Sequence, residues 1–185
     1  MQGLSDFFCI LKLKKKPIVL LMINTLRNAI RKSVLQRKEL MIPPLPLNIS
    51  EVDTLCKILE ENNYANQDDK DFLLHQLSHR IIPGVDETSY IKANFLNRIC
   101  NDSITCDILN KQDAVQLLGT MQGGYNVEIL VELLKHDELG YASYKELSNT
   151  TLIFDHFNTV ETLYKKGNPW AGKLLESWAK SEWFT

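Results

Sequence analysis

From Ile23 to Trp178 the apolar residues return every three or four positions. No stretch of useful length alternates apolar with polar, as a half-buried strand would. This pattern commits the chain to α-helices, each with one apolar stripe that must be buried against another. Ile23, Leu26, Ile30, Val34 and Leu35 form such a stripe over residues 23–40, with Arg and Lys opposite. Val52, Leu55, Cys56, Ile58 and Leu59 form the next. Phe72, Leu73, Leu74 and Leu77 follow, then Tyr90, Ile91, Phe95, Leu96 and Ile99. Ala114, Val115, Leu117, Leu118 and Met121 lie in a helix over residues 111–122. Ile129, Leu130, Leu133 and Leu134 come next. Residues 143–155 and 157–166 read as two short helices, and Ala171, Leu174, Leu175 and Trp178 close the series. Eight or nine helices joined by short turns form an all-α array of stacked antiparallel pairs with no strict repeat.

The punctuation supports these boundaries. Pro43-Pro44-Leu45-Pro46 blocks helix and imposes an extended connector. Asn48 or Ser50 caps the helix that follows, with Asp53 completing a box after Ser50. Asp68 and Asp69 favour a helix start through the dipole. Pro83-Gly84 ends a segment, Asp86 or Thr88 opens the next, and Asn101 to Asn110 reads as a loop. Asn168-Pro169 starts the last helix, because proline suits a first turn. Lys14-Lys15-Lys16-Pro17 reads as a helix break, so residues 1–21 are expected to lie outside the core.

At 185 residues, with 44% apolar and 24% charged, the chain has enough material for one packed core. The net charge of −2 excludes a surface built as a whole for nucleic acid or anionic membrane. Its distribution is uneven: residues 1–50 carry about +7 and the remainder about −9. The basic arm could meet phosphates or an acidic partner, but a solvated helix face accounts for it more simply. Cys9, Cys56, Cys100 and Cys106 have no zinc or disulfide spacing and fit a reducing cytoplasm. Pro17 to Ile23 is apolar behind a lysine cluster, but no small-residue cleavage site follows, so export is not expected.

Few residues suggest chemistry. His75 and His79 would share a helix face, but the residues between them are not those of a metalloprotease and no third ligand stands out. They read as surface histidines. Gly123-Gly124 lacks the preceding strand, the glycine spacing and the following Lys-Ser or Lys-Thr of a phosphate loop. One of these glycines is expected to take a left-handed conformation at a helix end. Thr120, Gln122, Gly123, Gly124, Tyr125 and Asn126 form the candidate interaction edge. No nucleophile–base pair and no cysteine set for an iron–sulfur cluster is present, so no catalytic, cofactor or metal residue is assigned.

Several segments resemble the N-terminal region of bacterial aconitase B, a family of aconitate hydratases that are also 2-methylisocitrate dehydratases. They are Phe72-Leu73-Leu74, Arg80-Ile81-Ile82-Pro83-Gly84-Val85-Asp86-Glu87, Tyr90-Ile91-Lys92-Ala93 with Phe95-Leu96, and Leu117 to Asn126. Gly167-Asn168, Ser177-Trp178-Ala179 and Glu182-Trp183-Phe184 complete the set. Each piece is weak alone; their order and spacing from about Met22 to Phe184 carry the resemblance. It implies a HEAT-like right-handed superhelix over residues 22–185, with residues 1–21 as an extension. In that family a swivelling domain follows, then catalytic domains that hold a 4Fe–4S cluster. The cluster cysteines and the substrate-binding arginines and serines lie there, so the four cysteines of this chain inherit no such role. At His75, Gln76 and His79 the family pattern is acidic, apolar and amide-like.

The resemblance thus implies a domain without its enzyme: a non-catalytic protein-interaction module, cytoplasmic, with no cofactor and no membrane partner. The expected partner is a protein, such as an aconitase or another enzyme of the same pathway, or a second copy in a homodimer. One alternative is the subunit of a split aconitate hydratase whose catalytic half is a separate chain. Another is an RNA-binding regulator, since the family is linked with messenger RNA when the cluster is lost. Basic residues not interleaved with exposed aromatics, together with the negative net charge, argue against it. A remnant without function is the last alternative.

Overall fold

A computed structural model of the chain describes residues 2–122, 124–150 and 154–181, with side chains from Pro17 onward except that of Phe154. Gly123 and the Glu182-Trp183-Phe184 segment lie outside the described residues, as does the side chain of Cys9. The described residues are all-α, with no strand among them. Nor does any helix among them have the length and apolarity to cross a membrane. The chain divides into two compact units, Met1–Ile82 with Thr105–Ile108, and Pro83–Ile104 with Leu109–Thr185.

The first unit holds α1 (Gln2–Glu39), α2 (Ile49–Glu61) and α3 (Gln67–His79), with α2 packed against both neighbours. Its core comes from Val19, Ile23, Leu26 and Ile30 of α1, the five expected residues of α2, and Leu73 and Leu77 of α3. Two expectations are corrected here. α1 runs through Pro17 instead of breaking, because an interior proline removes one backbone hydrogen bond without forcing the chain out of helical dihedrals. Val19, only 2% exposed, extends the buried stripe into the segment expected to stay outside the core.

The cap of α2 resolves to Asn48. Asn48 Oδ1 accepts from the Glu51 N–H at 3.0 Å, and Glu51 Oε2 accepts from the Asn48 N–H at 2.9 Å. The box partner is therefore Glu51, three residues on, and not Asp53. At the other end Asn62 takes a left-handed conformation, φ 49°. Its side chain donates to Thr105 O at 2.6 Å and accepts from the Asp107 N–H at 2.7 Å. These two bonds fasten residues 105–108 to the first unit. Nearby, the Tyr64 hydroxyl donates to Leu59 O at 3.1 Å, and burial pushes that phenol well above its ordinary range, with Cys106 and Asp107 adding to the effect.

α1 and α3 are also tied by charge. The Arg27 guanidinium reaches Asp68 at 3.1 Å and Asp69 at 2.8 Å, and it lies 4.3 Å from the centre of the Phe72 ring. Asp69 is 5% exposed. The Asp69 N–H is taken by the α3 cap, Asn66.

The second unit holds α4 (Glu87–Cys100), α5 (Lys111–Gly119), α6 (Tyr125–Leu133), α7 (Gly140–Ser148), a 3-10 turn (Phe154–His156), α8 (Phe157–Lys165) and α9 (Pro169–Ala179). Sequence neighbours pack as pairs, α4 with α5, α6 with α7 and α8 with α9. Alternate helices pack too, α4 with α6, α5 with α7 and α7 with α9. Together these contacts make two layers of stacked pairs, the arrangement expected for short helices that each bury a single face. Phe95, Leu96, Val115, Leu118, Leu130, Leu134, Leu147 and Leu174 fill the space between them. Asn168 caps α9 by accepting from the Trp170 and Ala171 N–H groups, and its amide donates to Leu134 O at 2.8 Å. Trp178 is buried, with its indole N–H on Leu147 O at 3.3 Å.

Candidate functional site

The candidate edge follows α5. Thr120 is exposed and its hydroxyl donates back to Leu117 O at 2.7 Å, covering an end carbonyl of the helix. Gln122, also exposed, donates its backbone N–H to Pro83 O at 3.1 Å. That bond joins the turn to the loop before α4. In the same loop, Gly84 N–H donates to Ser89 Oγ at 3.1 Å. Asp86 caps α4, accepting from the Ser89 N–H and from the Thr88 and Ser89 hydroxyls. Burial alone would raise the Asp86 carboxyl, but these donors hold it below its ordinary range.

Gly124 has φ +64° and ψ −93°, a positive-φ conformation at the N-cap of α6 and not the left-handed C-cap expected of one glycine of the pair, and a Cβ there would stand 3.0 Å from Val85 Cγ1. Gly124→Val is therefore expected to cost about 1–2 kcal/mol, from backbone strain first and the Val85 contact second. Urea unfolding of the variant beside its parent measures this; equal midpoints would show that the turn does not need glycine.

Asn126 is not an edge residue. It is 0% exposed, and its amide nitrogen donates to Leu118 O at 2.9 Å and Met121 O at 3.0 Å. It closes the end of α5 from within, so it is corrected from contact residue to structural clamp. Tyr125, the next residue back, is 37% exposed. Its ring meets that of Tyr90 edge-on, with centroids 5.2 Å apart. Tyr90 was expected inward and is 51% exposed; Ser89, Lys92 and Ala93 fill the buried side of α4 instead.

The two tyrosines stand at an open groove of about 400 Å³ between α4 and α6. Tyr90, Asn94 and Asn97 line it from α4, and Tyr125, Glu128 and Glu132 from α6. Glu132 is ion-paired with Lys135, whereas Glu128 has no ion pair among the described residues. The groove therefore offers phenols, amides and a free carboxylate beside aromatic faces. Sequence reasoning found only Tyr125 and Gly124 of its lining. The available signal was a spacing: residues 90, 94 and 97, and 125, 128 and 132, each mark one face of a helix.

No group of three or more potential metal ligands occurs among the described residues. His75 and His79 are exposed, with ring centroids 5.2 Å apart, as expected of surface histidines. Cys56 and Cys100 are buried and Cys106 half-buried. Burial pushes the Cys100 thiol up to about 11, with Lys111 pulling the other way, so at neutral pH it is a poor nucleophile and a poor metal ligand.

A family model described as the aconitate B N-terminal domain matches residues 29–184. The chain belongs to the aconitate B N-terminal domain family. Aconitate hydratase B of Synechocystis sp. is 44% identical over 158 residues, which is 84% of this chain and 18% of that protein. The Pseudomonas aeruginosa protein of the same name is 44% identical over 156 residues, with the same coverage of each chain. That of Escherichia coli is 41% identical over 154 residues, 83% of this chain and 18% of its own. This aconitate B N-terminal domain thus spans about a fifth of the length of the curated relatives it matches.

Proposed function

We propose that this chain acts as a non-catalytic docking domain of the aconitase B type, binding a protein partner through the α4–α6 groove. The observation that carries the reading is the pair of partly exposed tyrosines at that groove, held by a glycine turn and a buried asparagine. Tyrosine supplies large contact area at low entropic cost and is enriched at protein interfaces. The partner proposed is an aconitase or another enzyme of the same pathway, because the relatives are aconitate hydratases. Dehydrating a tricarboxylate needs a Lewis acid with an open position and cationic clamps, and the acidic groove supplies neither.

The test compares the parent with Tyr90→Ala and Tyr125→Ala, each immobilised in an extract of the native cell. The parent is expected to retain an aconitate hydratase chain, and each variant to lose roughly tenfold in affinity, the scale of one interface anchor. Retention by both variants equal to the parent would remove the groove from the reading. The purified parent, supplied with iron and sulfide, is expected not to turn over aconitate; turnover would overturn the non-catalytic reading. A second reading is that the chain is one subunit of a divided hydratase, because the relatives it matches are aconitate hydratases. Activity of the retained chain only in the presence of this one would establish it.

A further inference from the structure

A second surface of the same unit, sharing no residue with the groove, carries three aromatic rings and two lysines. Tyr141, 52% exposed, and Tyr144 project from α7, and Trp170 from α9. The Trp170 ring centroid is 5.3 Å from that of Tyr141 and 6.1 Å from that of Tyr144, which it stacks upon. Gly140 fixes the arrangement: a Cβ there would fall 2.5 Å from Trp170 Cδ1, so only glycine lets the indole settle against the start of α7. The rings form a preorganised shelf that would lose little freedom on contact.

Lys145 Nζ stands 5.9 Å from the Tyr141 ring centre and Lys173 Nζ 4.8 Å from that of Trp170. Both lysines are exposed. Elsewhere on the surface Lys57, Lys111, Lys135, Lys165 and Lys180 are each paired with a carboxylate, while Lys32, Lys38, Lys70 and Lys166 have no ion pair among the described residues. Lys145 and Lys173 have no such pair among the described residues. Of the neighbouring acids, Glu146 turns toward the end of α5 at Gly119 while staying within electrostatic reach of Lys145, and Glu176 pairs with Lys180. On a chain that is net acidic beyond residue 50, two cations without an ion pair on an aromatic shelf are a local reversal of charge.

From this the geometry points to a docking surface for an acidic segment of a partner protein, one whose carboxylates meet Lys145 and Lys173 while an apolar or aromatic side chain lies on Tyr141 and Trp170. Trp and Tyr dominate the energetics of such interfaces, and the flanking charges set orientation and encounter rate. Tyr141, Lys145 and Lys173 are all exposed, an extended arrangement that suits a peptide more than a small anion. Two cations on an acidic body give too little counterion release to hold a nucleic acid.

The probe is a fluorescently labelled peptide that alternates Glu with Trp and Leu, titrated into the full chain and followed by anisotropy. The controls are the same peptide with Gln for Glu, one with Lys for Glu, and a single-stranded RNA. The acidic peptide is expected to bind, with affinity reduced roughly tenfold by Trp170→Ala and by Lys145→Glu/Lys173→Glu. The charge-reversed variant should instead prefer the Lys peptide, and that exchange also shows it to be folded. Tyr125→Ala should leave binding intact, so failure of the groove and failure of the shelf are read separately. Equal binding of the acidic and neutral peptides, no exchange of preference in the charge-reversed variant, or capture of RNA but not peptide would each overturn the proposal.

Discussion

Asn126→Asp is expected to destabilise the chain by about 3–5 kcal/mol at neutral pH, more than the loss of a hydrogen bond alone would give. The amide nitrogen of Asn126 is the donor to two carbonyls, Leu118 O and Met121 O, in a fully buried position. A carboxylate in its place turns two attractive contacts into two repulsive ones and buries an uncompensated charge. Asn126→Ala, which only leaves the carbonyls unpaired, should cost about 2–3 kcal/mol. The two variants separate by pH. Burial raises the new carboxyl in the folded state, so the native form binds its proton more tightly than the unfolded form. The Asp variant's deficit should therefore grow as pH rises through the carboxylate range and shrink as pH falls, when the protonated acid donates to one carbonyl again. The Ala deficit should not follow that pattern. Urea unfolding at neutral pH and at about pH 4 gives both results. An Asp variant as stable as its parent at neutral pH would show that the amide is not the clamp.

Arg27→Met is expected to cost about 2–4 kcal/mol. It removes the 2.8 Å partner of Asp69, whose side chain is 7% exposed, and leaves that carboxylate buried without a cation. The guanidinium itself is about a third exposed, so the effect should fall toward the lower end of what breaking a buried pair produces. Asp68, 80% exposed, contributes little to it. Adding Asp69→Asn to Arg27→Met should recover a good part of the loss, since the charge that needed a partner is then gone. If the single variant unfolds within about 0.5 kcal/mol of the parent, the pair behaves as an ordinary surface contact.

The helices were legible because their signals are local. Stripes at Val52–Leu59 and Phe95–Ile99 and the cap at Asn168 need no knowledge of the rest of the chain. The choice between Asn48 and Ser50 could not be made locally, because both are good caps and only the fold decides which one lies outside the first turn. Tyr90 was assigned inward since aromatics usually are, but its phenol stays wet at a groove edge. Asn126 misled in the opposite direction. An amide in a polar turn looks available to a partner, yet the open end of α5 needed a donor more. The groove itself required knowing that α4 and α6 are neighbours, which no single-helix pattern contains. Two of the segments that carry the resemblance, Pro83 to Glu87 and Leu117 to Asn126, meet through the Gln122–Pro83 hydrogen bond. Their resemblance was readable along the chain; their contact was visible only in space.

The bonds from Asn62 to Thr105 and Asp107 carry a consequence for biosynthesis. The first unit is stitched shut by residues that leave the ribosome only after the whole of α4 has been made. Its three helices can dock while translation continues, but the polar ends of Asn62 find their partners late. A chain cut or stalled between Ile82 and Thr105 would leave the Asn62 side chain without these two partners. The last polar contacts of the first unit thus form only after α4, a helix of the second unit, has been made.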